Sequence, residues 1–167
     1  MGSGRHAEEG FTYVIAMFAV AIAGVLLAAG SEVWAQSRQR EKEKELLFVG
    51  AQFREAIRQY YEGTPGTVKR YPQKLEELLD DRRYLSLQRY LRKIYADPMT
   101  GSDRWGTIAA PGGGIMGVYS LSDKSPIKSA NFDSRNEGLT GGSRYSDWRF
   151  VYEPPTDAVL PAKSKDG

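Results

Sequence analysis

Apolar residues form one uninterrupted run near the N-terminus and then recur with helical spacing. Residues 11–30 contain no charged side chain, and a helix of that length spans about 30 Å, the thickness of a membrane's hydrocarbon core. Further apolar residues follow at spacings of three and four, the pattern of an amphipathic helix: Leu46, Val49, Phe53, Ala56, Ile57, Tyr60 and Tyr61. We therefore expect one long helix that ends before Gly63 and Pro65. The alternative is two helices, with bends at Gly30, Ser31 or Gly50.

Two shorter helical patterns follow. The first lies in 71–81, where Leu75, Leu78 and Leu79 share a face. The second lies in 84–94. Both predict short helices. The segment 97–101, Asp-Pro-Met-Thr-Gly, predicts a tight turn, because Pro fixes φ and Gly tolerates a positive φ.

The C-terminal third has the pattern of strands and turns. Segments 105–109, 115–121 and 148–152 are short, rich in β-branched or aromatic residues and bounded by Gly or Pro, as strands are. A Gly-rich hairpin loop is expected at 111–114, and a long connection at 122–146. The chain is therefore predicted to be an α+β protein in which a long helix packs on short helices and an antiparallel sheet.

Composition excludes several kinds of site. The chain has no cysteine and one histidine, His6, so thiol chemistry, cysteine zinc sites and a histidine triad in the folded domain are excluded. No nucleophile–base pair is evident, and we do not expect an enzyme. The 23 basic and 21 acidic residues are interleaved, whereas nucleic-acid binding usually needs a concentrated basic stripe. Nucleic acid is therefore not an expected partner, although the ten tyrosines keep stacking on single strands open as a minor alternative.

The N-terminal run allows three interpretations: a cleaved secretory signal, an ordinary signal anchor, or a processed anchor. The sequence Glu8-Glu9-Gly10-Phe11-Thr12 before the apolar run resembles the leader of type IV prepilins. That resemblance implies cleavage between Gly10 and Phe11 by a prepilin peptidase, which then methylates the new N-terminus. It also implies that the leader stays cytoplasmic, although the bases after the run would by themselves favour the opposite orientation.

The apolar helix would then serve assembly. The residues expected to contact lipid or neighbouring helices are Phe11, Tyr13, Ile15, Phe18, Ile22 and Leu26. Most members of the pilin family carry a Glu four residues after the Phe, whereas this chain has Ile15 there. A buried Glu costs about 2.5–3.5 kcal/mol on insertion scales, and in the family it pairs with a neighbour's N-terminal amine. Its absence favours a minor or atypical subunit.

The rest of the chain is similar to the major pseudopilin of type II secretion systems. The ordered pieces that carry the similarity are Tyr71-Pro72, Tyr90-Leu91, Asp97-Pro98, Gly101, Tyr119-Ser120-Leu121 and Asp147-Trp148. The resemblance implies a pilin-like fold and a loop that can bind calcium before the last strand. Asp123, Asp133 and Asp147 are the candidate calcium ligands; the alternative is that they only form turns, and no other cofactor is expected.

These patterns predict four regions: a leader at 1–10, a transmembrane and filament-core helix at 11–35, a periplasmic pilin-like domain at 36–155 and a flexible tail at 156–167. The resemblance implies a structural subunit of a type II secretion or related type IV filament system in the bacterial inner membrane. Its partners would be prepilin peptidase, other pseudopilins and the inner-membrane assembly platform. The alternative is a single-pass, membrane-anchored periplasmic domain that binds a ligand or DNA outside any filament.

Overall fold

A computed structural model describes residues 5–155, with the side chains of that range except those of 5–11 and 25–33. The predicted tail at 156–167 and the first residues of the predicted leader lie outside the described residues. Helix α1 runs from Arg5 to Glu62. The chain divides into two compact units, Met1–Glu41 and Lys42–Gly167, and α1 contributes to both. Within the part that the structure describes, no helical segment combines the length and apolar character needed to cross a membrane.

Helix α1 ends where the sequence predicts. Gly63 N donates to Gln59 O at 2.8 Å, and Thr64 N donates to Tyr61 O at 3.2 Å, which closes the last turn. The chain then leaves the helix, and Gly66 adopts a φ of 84° that other residues rarely reach. The helix begins at Arg5, six residues before the start of the uncharged run at Phe11.

The second unit contains a three-stranded antiparallel sheet with the strand order β1-β2-β3. Strand β1 is Gly106–Ala109, β2 is Ile115–Tyr119 and β3 is Arg149–Val151. All three lie within the predicted segments. The β1–β2 hairpin turns through Gly113 and Gly114, whose φ values of 88° and 85° require glycine. The predicted α+β class is therefore confirmed.

The core lies between α1 and this sheet. The stripe of α1 predicted from its spacing is buried from Leu46 to Tyr60, and Val118 and Phe150 of the sheet are fully buried. Trp148 and Tyr145, from the end of the long connection, join the same cluster with their rings 5.4 Å apart at 85°.

The predicted short helices are mostly absent. The first is reduced to a 3-10 helix at Leu75–Leu78, and the predicted helix at 84–94 is wrong. That segment is irregular, and Asp81 pairs with Gln88 in an isolated antiparallel bridge. The reason is local, because Asp81 Oδ1 accepts from the backbone N–H of Arg83 at 3.1 Å, which closes a turn instead of starting a helix.

The long connection at 122–146 contains two further 3-10 helices, Ser134–Leu139 and Tyr145–Asp147. The predicted turn at 97–101 is present: Gly101 N donates to Asp97 O at 2.7 Å, and Gly101 has a φ of 75°. Asp97 itself is buried, because its carboxylate accepts from Thr100 and from Ser120 of the chain after β2. The turn is thereby tied to the sheet.

Candidate functional site

The predicted processing and assembly residues all lie on α1. Gly10 and Phe11 are helical, but their side chains, like that of Leu26, lie outside the described residues. Tyr13, Ile15, Phe18 and Ile22 are exposed in the isolated chain. Among the residues whose side chains the structure describes, none covers these apolar side chains. Exposed apolar side chains grouped in this way mark a surface available for interaction.

The three aspartates proposed for calcium have other contacts. Among the described residues, no group of three or more His, Cys, Asp or Glu side chains is arranged to hold a metal. Asp147 Oδ2 caps the last 3-10 helix, where it accepts from the backbone N–H groups of Ser143 and Arg144 at 3.0 and 2.9 Å. These hydrogen bonds, led by the one from Arg144, lower the pKa of Asp147. Asp123 contacts Arg144 and Ser146 at the surface. Asp133 lines a groove that α1 and β3 also line. The structure therefore does not bring the three together.

A buried carboxylate on α1 holds the long connection in place. Glu43 is 3% exposed and its Oε1 accepts from Tyr145 Oη at 2.8 Å and from the backbone N–H of Ile127 at 2.5 Å. The two donors belong to opposite ends of the connection. Glu43 thus links α1 to both ends of the long connection. One of these contacts is with Tyr145, whose ring packs on that of Trp148. Sequence reasoning missed it because Glu43 sits in an alternating run of Lys and Glu that is typical of a solvated helix face.

An open groove of about 900 Å³ runs between α1, the 3-10 helix Ser134–Leu139 and β3. Arginines from all three elements line it together with three acidic residues. The charged lining residues are Arg54, Arg58, Arg135, Arg149, Glu55, Asp133 and Glu153. Arg58 is neutralised by Glu55 and Glu62 at 2.5 Å. Hereafter this is the arginine groove.

Arg54 of α1 is fixed in the arginine groove by hydrogen bonds to the 3-10 helix Ser134–Leu139. Its two terminal nitrogens donate to Arg135 O at 2.6 Å and to Asn136 Oδ1 at 3.1 Å. Its Nε is buried and has no hydrogen-bond partner among the described residues. Burial lowers the pKa of Arg54, with Asp133 acting in the opposite direction. The groove can therefore attract an anion, although its acidic lining residues offset much of its positive charge.

A smaller pocket of about 520 Å³ adjoins the arginine groove. Its apolar lining comes from Leu47, Phe48 and Ala51 of α1 and from Phe132 of the long connection. Phe48 is 59% exposed. We call this the phenylalanine pocket. The rest of its lining is polar and comes from Lys128, Asn131, Asp133 and Asn136.

At the C-terminal end of α1, a buried ion pair holds a loop that exposes leucines. Asp81 is 2% exposed and forms a salt bridge with Arg83 at 2.6 Å. Arg83 also donates to Tyr60 O at 3.0 Å and to Thr64 Oγ1 at 2.7 Å, and its guanidinium lies 3.5 Å from the centre of the Tyr60 ring. Tyr90 Oη donates to Asp81 at 3.0 Å, and burial, followed by this hydrogen bond, raises the pKa of Tyr90 to about 12. We call these four side chains the Asp81 clamp: Tyr60, Asp81, Arg83 and Tyr90.

The loop that the clamp supports, 82–89, is hereafter the leucine loop. Leu85 is 112% exposed relative to a reference residue, and Leu87 is 66% exposed. Both lie in the segment 84–94, which the sequence pattern predicts to be a helix. They lie two residues apart, and residues at that spacing do not share a face of an α-helix.

Comparisons of the chain with known protein families, with curated proteins and with solved structures gave no match.

Proposed function

We propose that this chain is a pilin-like subunit of a type II secretion or related type IV filament system. Its N-terminal helix holds it in the bacterial inner membrane, with the C-terminal domain in the periplasm. After the leader is removed, the assembly platform moves the helix from lipid into the helical core of a filament. The work is mechanical and needs no catalytic residue.

The observation that carries the proposal is the change in character along α1. From Tyr13 to Ile22 its apolar side chains are exposed, whereas from Leu46 to Tyr60 the apolar stripe is buried against the sheet. An element with these two parts suits a subunit that exchanges lipid for neighbouring helices at one end and carries a folded domain at the other. Small residues in the uncharged run, such as Ala16, Ala19 and Gly24, favour close packing of helices in lipid.

The leader supplies the first test. The full chain is co-expressed with a prepilin peptidase, extracted from membranes and analysed by intact mass. We expect loss of residues 1–10 and a methyl group on Phe11. A Gly10→Val variant should stay uncut, because the proposed cleavage follows Gly10, whereas Gly4→Val, within the leader, should be cut normally. An uncut wild-type chain would overturn the proposal.

A second candidate function is an anchored domain that binds an anionic ligand, DNA phosphate included, in the arginine groove. The observation in its favour is the buried, unpartnered Nε of Arg54. The same mass measurement separates the two, because an anchored receptor has no reason to lose residues 1–10. In that case Arg54→Gln should weaken ligand binding, while Arg82→Gln, outside the groove, should not.

A further inference from the structure

Trp34 and Arg38 form an exposed, stacked pair on α1, shortly after the uncharged run. The Trp34 side chain is 64% exposed, and the guanidinium of Arg38 lies 3.9 Å from the centre of its ring. The two residues are four apart and therefore share one face of the helix. Both belong to the first unit and neither is part of the core cluster. The pair thus offers an apolar ring and a cation side by side to a partner.

In the proposed membrane position, this pair lies at the level of the lipid head groups. The uncharged run ends at Gly30, and Trp34 follows four residues later, a rise of about 6 Å. The head-group region on each side of the hydrocarbon core is about 5–8 Å deep. Tryptophan is enriched at that level, because its ring is largely apolar while its N–H can bond to a polar group.

Arg38 brings its charge back to the same level. Its Cα lies about 6 Å further along α1 than that of Trp34, but side chains on a helix lean toward its N-terminus, and the contact with the Trp34 ring has this direction. A guanidinium stacked on a ring keeps its N–H groups in its own plane, where they can donate in pairs to phosphate oxygens. Within the described part of the chain, Arg38 makes no hydrogen bond or salt bridge, whereas Arg58 of the same helix has acidic partners.

The charge around the pair is positive. The stretch between Glu32 and Glu41 carries two bases and no acid. The bases are Arg38 and Arg40, and both are exposed. Glu41 lies about one turn beyond Arg38, but the guanidinium is directed away from it, toward Trp34. A base at this depth favours an anionic lipid over a zwitterionic one, because it attracts net negative charge.

We propose that Trp34 and Arg38 form an interfacial anchor that binds the phosphate of an anionic phospholipid on the periplasmic side of the inner membrane. The indole lies among the head groups, and the guanidinium donates to the phosphate oxygens. The inference rests on the proposed function and names the lipid that holds the subunit before assembly. It also gives the bases after the run, which by themselves favour the opposite orientation, an anionic partner on that side.

Quenching of Trp34 fluorescence measures its depth in the membrane. We would reconstitute the full-length chain in vesicles of phosphatidylcholine and phosphatidylglycerol that carry a nitroxide either near the carboxyl end of the acyl chains or at their middle. The signal of Trp34 is the difference between wild type and Trp34→Phe, because the buried Trp105 and Trp148 are present in both. We expect the shallow nitroxide to quench this signal several times more strongly than the deep one.

The choice of lipid tests the role of Arg38. The same shallow nitroxide is placed either on phosphatidylglycerol or on phosphatidylcholine, and the two quenching efficiencies are compared. We expect wild type to favour phosphatidylglycerol about fivefold, the effect of roughly one base at an anionic surface, and Arg38→Gln to lose this preference. Arg40→Gln is the matched control: it removes the same charge from a position about 15 Å beyond the run and should keep most of the preference. Both arginines are exposed and lie outside the core cluster, so we expect the variants to fold.

Two results would overturn the anchor and leave the proposed function in place. In the first, the leader is removed and the chain inserts, but the deep nitroxide quenches Trp34 as strongly as the shallow one. In the second, wild type shows no preference for phosphatidylglycerol, or Arg38→Gln and Arg40→Gln lose it equally, as general attraction of bases to an anionic surface would require. If the wild-type chain keeps its leader and does not float with the vesicles, the proposed function and the anchor both fail.

Discussion

Gly50 lies on α1 where the helix meets the ring of Phe150. A Cβ atom at this position would overlap three carbons of that ring, and Phe150 is fully buried. The sequence suggests that Gly50 permits a bend in the helix. The structure gives it a different role, because the missing side chain makes room for a core ring from β3.

Gly50→Ala should therefore destabilise the domain. Alanine gains up to about 1 kcal/mol of helix propensity over glycine, but forcing apart a packed core costs about 1–3 kcal/mol. We expect a net loss of stability in urea unfolding, followed by the fluorescence of the buried Trp148. Gly138→Ala is the control, because nothing lies within 4 Å of its added Cβ. Equal midpoints for the two variants would contradict the packing argument.

At the level of elements, the leucine loop is held to the end of α1 by one polar cluster, the Asp81 clamp. Asp81 is almost fully buried, whereas its neighbour Asp80 pairs with Arg82 at the surface. Removing one partner of a buried pair leaves the other charge uncompensated, which costs several kcal/mol, while exposed pairs contribute about 0–1 kcal/mol. Asp80 and Asp81 are adjacent in the sequence but are thus expected to contribute very differently to the stability of the fold.

Asp81→Asn should lower the free energy of unfolding at pH 7 by about 3 kcal/mol, and Asp80→Asn by less than about 1 kcal/mol. The effect should depend on pH. Burial favours the protonated form of Asp81, but the hydrogen bonds from Arg83 and Tyr90 outweigh it, so its pKa is lowered in the folded state. A carboxylate of this kind stabilises the fold above its unfolded pKa, about 3.9, and loses that contribution as the pH falls through the lower folded value.

Urea unfolding from pH 7 to pH 2.5 measures this directly. Wild type and Asp80→Asn should lose stability more steeply below about pH 4 than Asp81→Asn, which lacks the titrating group. If the free energy of unfolding falls with pH in the same way in all three proteins, protonation of Asp81 is not coupled to folding.

For the molecule as a whole, we propose that the N-terminal helix and the folded unit have separate tasks. All the buried residues of the core cluster lie in Lys42–Gly167. Changes in the uncharged run should therefore affect membrane insertion and assembly, and leave the folding of the second unit unaltered.

Ile15→Glu tests this division. Leader cleavage should continue, because the proposed site is at Gly10 and Phe11, and assembly should be kept if Glu at this position can pair with a neighbour's N-terminal amine. Ile22→Glu, the matched control, places the same charge where no amine is expected and should lose assembly, since an unpaired Glu in lipid is costly. Intact mass and filament sedimentation measure the two effects. Loss of cleavage in Ile15→Glu would contradict this account.

Local pattern was enough to determine the α+β class, the end of α1, the three strands and the turn at Asp97. Each of these depends on residues close in sequence: the three-and-four spacing from Leu46 to Tyr60, the β-branched runs, and glycines at positive φ. Only tertiary structure decided what the polar residues do. Glu43 is buried because Tyr145 and the N–H of Ile127, far along the chain, satisfy it, and Arg83 is held by Tyr60 and Thr64. Leu85 and Leu87 are exposed, whereas Leu91 is buried, because Asp81 and Arg83 close a turn where the periodicity predicts a helix. The spacing of apolar residues carries no information about partners so distant in sequence.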